Sequence, residues 1–337
     1  MAILPNGNEG LTDGMSRDEH GYWQPEGGTK PANPVFAWPP KPAEVIKWFY
    51  HYLCPWNLFY MLLATATWLY FQPDLSRAAT FNADWIFEIF IRNQILLIVF
   101  VSIWHIRLWA RKSQGLQYKY TSTWLATHKR QFLWRNQLYD NIFWSCVSGG
   151  IIWTVYEVLM FWAYANELIP YIEPLQQPIY FVCQLCLIPL WRLFHFYWVH
   201  RLLHWPPLYK VGHYLHHKNI NVGPWSGLAM HPVEHILYYS CLLIHWIVPS
   251  HPIHLLMNAQ HASLTPAQGH VGFEKVVVNG KVNIAGGSYF HQLHHRYFEC
   301  NYGEPDIPFD HWFGTSHDGS AEAHKAMRAK RKTVHAV

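Results

Sequence analysis

Long apolar stretches separated by aromatic and basic residues constrain this chain most. Residues 46–71, IKWFYHYLCPWNLFYMLLATATWLYF, are long enough to cross a hydrocarbon layer of about 30 Å as a helix, with Trp and Tyr at both ends as interface anchors. A second stretch, 85–104, is weaker because it holds Glu88 and Arg92. A third runs 142–164 and a fourth 179–191. A fifth, 236–260, is broken by Pro249 and Pro252 into pieces too short to span, which predicts a re-entrant or interfacial hairpin. In lipid every backbone polar group must be satisfied within its own segment, so such stretches fold as helices. The expectation is an all-α integral membrane protein with about four transmembrane helices, the hairpin, and a helical cap.

Composition agrees: 51% of residues are hydrophobic, 14% are charged, and there are 19 Trp, 20 Tyr and 19 Phe. A net charge of +4, with acids interspersed and no basic stripe, excludes nucleic acid as a partner. The six cysteines are scattered, most of them in apolar surroundings, and read as reduced thiols packed like small hydrophobes. Residues 1–44, rich in Pro, Gly, Asn and charge, read as a flexible polar arm without the apolar core of a secretory signal. Residues 45–177 hold the first three spans, 178–316 a histidine-rich region, and 317–337 a basic tail. The segment between the second and third spans carries Arg107, Arg111, Lys112, Lys119, Lys129, Arg130 and Arg135, whereas 165–178 carries no Lys or Arg. The basic side is cytoplasmic by the positive-inside tendency, which places the histidine-rich half there too, in a bacterial inner membrane or an endoplasmic reticulum. Residues 274–278 and 281–284, joined through Asn279-Gly280, read as a β-hairpin with a type I′ turn.

Histidine is the outlier. Most of the 24 histidines lie between His195 and His317, in recurring patterns. His200 and His204 are four apart and share a helix face; His213, His216 and His217 form an HxxHH pattern that His291, His294 and His295 repeat. Between them stand His231, ahead of Pro232 at a helix start, His235 one turn on, and His270. A lone histidine is more often a hydrogen-bonded core residue than a ligand. Eight in three clusters facing one cavity would repel and stay unsatisfied without a cation. An all-imidazole set suits iron, copper, nickel or zinc over calcium and magnesium, and eight to ten ligands exceed one tetrahedral site, so two metals are implied. Iron supports dioxygen chemistry. Zinc would support a membrane hydrolase with Glu234 or Glu299 as base, and a non-enzymatic membrane metal carrier or sensor is the other alternative.

The segment Tyr197-Trp-Val-His200-Arg-Leu-Leu-His204, the two HxxHH patterns, His231-Pro, Asn301-Tyr302-Gly303 and Asp310-His-Trp-Phe313-Gly314-Thr315 resemble the fatty acid hydroxylase/sterol desaturase superfamily across about residues 178–316. The resemblance implies a helical membrane oxidoreductase that uses two iron ions and dioxygen to hydroxylate or desaturate a lipid, whether sterol, fatty acyl, sphingoid or aminolipid. It implies His200, His204, His213, His216, His217, His231, His270, His291, His294 and His295 as ligands, with His235 in reserve. Asn301, Tyr302, Asp310 and His195 are then supporting residues that orient ligands. Many relatives carry an acidic residue seven positions before the first ligand, where this chain has Leu193. The His-Pro-Gly-Gly haem motif of members fused to cytochrome b5 is missing, so electrons are expected from a separate donor such as cytochrome b5 or a ferredoxin.

Overall fold

The computed structural model describes residues 17–25, 28–29, 33–278 and 282–334. Among them, three helices are long and apolar enough to cross a membrane: α3 (Ala83–Ala110), α4 (Gln137–Ala165) and α5 (Pro178–Leu203). Two others precede them, α1 (Pro42–Tyr52) and α2 (Leu58–Tyr70). The first apolar stretch is therefore not one span as expected. Cys54 precedes Pro55 and is pushed out of the helical region to φ −108°, ψ 136°, which divides the stretch in two. The 13 residues of α2 reach only about 20 Å, short of the hydrocarbon thickness.

The fifth stretch also departs from expectation. It begins on α6 (Pro232–Tyr239), continues through a 3-10 segment (Ser240–Trp246), turns at Ser250, and enters α7 (Pro252–Gly269). Rather than lying at an interface, α7 runs through the middle of the bundle against α2, α3, α4 and α5, with Leu255, Leu256, Met257, Ala259 and Ala262 wholly buried. Its polar residues find partners inside the protein, which lets a helix with polar groups on several faces be covered on all of them. Gln260 Nε2–H donates to Thr67 at 2.8 Å, His254 Nε2–H to the Phe181 carbonyl at 2.9 Å, and Asn258 Nδ2–H to His245 Nε2 at 3.3 Å. Gly227 lets the preceding 3-10 turn sit against α7, since a Cβ there would stand 2.4 Å from the Pro266 carbonyl carbon.

The charges that weakened the second stretch are matched within the fold. Arg92 and Asn93 on α3 both bond to Glu157 on α4, and Glu88 meets Arg77. Beyond the spans, two strands, β1 (Lys275–Val278) and β2 (Val282–Ala285), form the expected antiparallel hairpin; its turn residues Asn279 and Gly280 lie outside the described residues. The described part of the N-terminal arm is not free, contrary to expectation. Trp23 is buried among Tyr118, Tyr120 and Tyr289, and the Arg17 guanidinium donates to the Leu116 and Lys119 carbonyls, because these aromatic and cationic side chains have complementary partners on the cap. α8 (Tyr289–Tyr297) carries the last histidine pattern, and α9 (Ala321–Val334) is the basic tail.

Candidate metal centre

Proline and capping residues fix where each histidine stands. Pro178 opens α5, and Trp205, extended ahead of Pro206, ends it, so His200 and His204 close the last turn. A π-helical turn over Tyr209–His213, continued by an α-helical turn over Tyr214–His217, brings the second pattern onto the same spot. The Ser288 side chain accepts from the His291 amide and starts α8, which turns the third pattern inward. His270 is the residue that ends α7.

These elements gather nine histidines into two groups. His200, His204, His213, His217 and His294 form one, and His216, His270, His291 and His295 the other; within each group one nitrogen per ring lies within 4.8 Å of all the rest. In the first group Nε2 atoms approach one another at 3.0–3.2 Å, as in His213–His217, His217–His294 and His204–His294. In the second, Nε2 of His270, His291 and His295 do the same at 3.0–3.2 Å.

Hydrogen bonds at the far nitrogen set the protonation of four rings. Nδ1–H of His200 donates to the Tyr302 carbonyl at 2.6 Å, that of His294 to the Cys300 carbonyl at 2.6 Å, and that of His270 to the Pro266 carbonyl at 2.8 Å. His213 donates from Nδ1 to Glu234 Oε1 at 2.8 Å. With its proton on Nδ1, each of these imidazoles presents a bare lone pair at Nε2, and lone pairs aimed at one another repel. Burial first, and then neighbouring imidazoles, hold His213, His217 and His294 well below the usual histidine range; burial brings His270 down to about 4. The rings are therefore neutral near pH 7 and available as ligands. Nitrogens about 2.1 Å from a common ion and at right angles around it stand about 3.0 Å apart, the spacing found here. The residues present fit two transition-metal ions, one per group, with imidazole donors throughout.

The remaining candidates are placed differently. His231 caps α6, its Nδ1 accepting from the Val233 amide at 3.3 Å, and it stands outside both groups, because a ring turned back onto its own helix start cannot also reach the centre. His235 bonds to Ser148 at 2.7 Å and is outside them as well. His195 bonds to Ser240 at 2.9 Å, away from the groups. Asp310 lies behind the centre. Its carboxylate accepts from the Tyr302 and Gly303 amides at 2.9 and 2.7 Å and from the Thr315 hydroxyl at 2.6 Å, which holds the carbonyl that His200 uses. Asn301, at φ 52°, ties that loop to Phe290 and His317. Glu234 holds His213 rather than standing free as a base, and the Cys300 and Pro266 carbonyls are supports that no side-chain pattern marks.

Two cavities flank the centre. One of about 840 Å³ extends from His200, His216 and His291 along α5 to Phe196, Leu193 and Arg192, with a mainly apolar wall. The other, about 860 Å³, lies on the cap side and reaches His204 beside Arg201 and Tyr302.

Fold and site define a helical membrane protein with a histidine-only, two-group metal-type centre. Residues 185–315 match the model of the fatty acid hydroxylase family. Among curated relatives, a Delta(7)-sterol 5(6)-desaturase of Aspergillus fumigatus, erg3C, is 32% identical over 160 residues, covering 40% of this chain and 50% of that protein. The Delta(7)-sterol-C5(6)-desaturase of Nicotiana tabacum is 36% identical over 143 residues, 40% of this chain and 49% of that protein. A Delta(7)-sterol 5(6)-desaturase of Candida glabrata is 36% identical over 111 residues, 32% of this chain and 29% of that protein. The chain spans about half the length, or less, of the curated relatives it matches. No solved structure matches it. The histidine-rich region is thus similar to the fatty acid hydroxylase family and to Delta(7)-sterol 5(6)-desaturases, over the same stretch that carries the histidine motifs.

Proposed function

We propose that this protein is a membrane-bound, non-haem di-iron oxidoreductase that hydroxylates or desaturates a lipid, with dioxygen as co-substrate and electrons from a separate carrier protein such as cytochrome b5 or a ferredoxin. The observation that carries the proposal is the convergence of nine histidines, eight buried and His204 half-buried, into groups of five and four with no thiolate and no carboxylate among them. Two irons bound there would supply what an unactivated C–H bond requires, the activation of dioxygen.

The protein's own residues do the rest. His200, His204, His213, His217 and His294 would hold one ion, and His216, His270, His291 and His295 the other. Glu234 and the Tyr302, Cys300 and Pro266 carbonyls keep the ligating nitrogens unprotonated and aimed. Asp310 keeps the Tyr302 carbonyl in place. The apolar cavity accepts the lipid, excludes bulk water and brings one carbon to the centre. A sterol is the first substrate to test, because the relatives quoted above are named for Delta(7)-sterol desaturation. The basic residues between α3 and α4, set against the absence of Lys and Arg between α4 and α5, support a cytoplasmic face for the centre, at the C-terminal end of α5.

The test is direct. Protein purified in detergent is assayed for metal and then incubated with a Δ7-sterol, reductant and dioxygen, and products are followed by mass spectrometry for gain of one oxygen or loss of two hydrogens. Lipid profiles of cells with and without the gene extend the search to other substrates. Zinc as the sole metal, together with no oxygen-dependent product after iron reconstitution, would sink the proposal.

A further inference from the structure

The membrane-side end of the apolar cavity along α5 holds an unbalanced cation. Arg192, 4% exposed, lies eight residues before His200 on α5, about 12 Å along the helix axis. Its guanidinium lies over the Tyr238 ring, 4.6 Å from the centroid, and donates to the Tyr238 hydroxyl at 2.6 Å and to Cys241 Sγ at 3.0 Å. Its Nε–H is buried and has no partner. No ion pair joins Arg192 to a carboxylate among the described residues, whereas the other buried arginine of the spans, Arg92, is paired with Glu157. His261 on α7 lines the same cavity, and its Nδ1 is likewise buried and unpartnered. A buried cation with an unmatched donor is costly, and in a membrane helix such residues are retained chiefly for function.

Between this polar end and the histidines the wall is apolar. The Phe196 ring stacks 4.8 Å from the His200 ring and stands 6.3 Å from that of Tyr238, with Leu193 and Val199 lining the same space. A ligand that satisfies both parts has a hydrocarbon body beside Phe196 and an oxygen at its membrane-side end. We propose that Arg192 and His261 form the polar anchor of the lipid site, which takes a lipid by an acceptor oxygen, a hydroxyl or a carboxylate, and so fixes which carbon reaches the metal centre. The proposal deepens the function above and rests on the apolar cavity along α5 being the lipid site.

The experiment uses equilibrium binding of radiolabelled probes to the purified full-length protein in lipid nanodiscs, without reductant, so that no turnover intervenes. Two pairs are compared: a Δ7-sterol with its 3-deoxy hydrocarbon, and oleate with 1-octadecene. Wild-type protein is expected to favour the oxygen-bearing member of one pair by about tenfold or more, the range for a hydrogen bond from a charged donor. Arg192→Met should abolish that preference and leave hydrocarbon binding unchanged, while Arg192→Lys should restore part of it. The pair that shows the preference identifies hydroxyl or carboxylate. Absence of any preference in the wild type, its survival in Arg192→Met, or equal loss of both members of the pair would overturn the proposal. If Arg192→Met does not fold, the wild-type preference and its loss in His261→Phe decide. Because binding is read without oxygen chemistry, failure of the di-iron assignment would appear separately, as metal content and product.

Discussion

Glu234 offers the sharpest test of how the centre is held. Its Oε1 accepts the Nδ1–H of His213 at 2.8 Å, and both residues are buried, at 2% and 1% exposure. Replacing it with leucine leaves that N–H without a partner in a dry site, a cost of about 1–3 kcal/mol. The ring then recovers a partner only by turning or by moving its proton to Nε2, the atom needed for ligation. At about 1.4 kcal/mol per factor of ten, this corresponds to about a 10- to 100-fold loss of affinity at the first group, the usual range for removing a support behind a ligand. Glu234→Gln retains an acceptor and should lose about tenfold or less by the same arithmetic. The assay is metal retained after dialysis against graded chelator, with the metal-free melting temperature as a control for folding. The second group, which Glu234 does not touch, should hold its metal throughout. If Glu234→Leu released its metals at the same chelator concentration as the wild type, or released both groups together, the role assigned to this carboxylate would be wrong.

Other substitutions separate ligands from structural residues. His231→Ala should retain both metals and lose at most about 1 kcal/mol from the α6 cap, whereas His294→Ala should empty the first group; metal analysis distinguishes them. Glu157→Leu removes the carboxylate partner of buried Arg92, so a loss of about 3–5 kcal/mol should appear as a strongly lowered melting temperature, with metal stoichiometry unchanged in whatever folds. Gly227→Ala forces a Cβ against the Pro266 backbone and should cost about 1–3 kcal/mol in thermal unfolding. The metal-free protein should lose stability as pH falls from about 6.5 towards 4. The folded-state pKa of His270, about 4, lies below that of the free side chain, so the unfolded chain takes up the proton first. Each histidine so placed contributes about 1.4 kcal/mol per pH unit across that window. Urea melts at successive pH values would refute this if the midpoint were flat between pH 6.5 and 4.

Much of the centre was legible because helical spacing is a local property. The i, i+3 and i+4 recurrences at His213, His216 and His217 and at His291, His294 and His295 survive in the fold, since each pattern sits on a single helical run. Which pattern would serve which group was not legible. His216 leaves its neighbours His213 and His217 for the other group, because adjacent positions on a helix point about 100° apart and the two groups lie on different sides of the run. Nor did the sequence distinguish His231 from His270. Both are single histidines at a helix boundary, but one stands at an N-terminus, where its nitrogen is drawn to its own backbone amides. The other stands at a C-terminus, where a backbone carbonyl takes its Nδ1–H and leaves Nε2 facing the centre. The span count failed for a comparable reason. Hydropathy sums over Cys54-Pro55 as readily as over any apolar pair, whereas the restriction that proline imposes on the preceding residue breaks the helix there. The α7 segment looked interfacial because Pro249 and Pro252 divide the apolar stretch into pieces too short to span; its burial depends on partners for its polar groups from α2 and α5, far away in sequence, and from the 3-10 segment just before it.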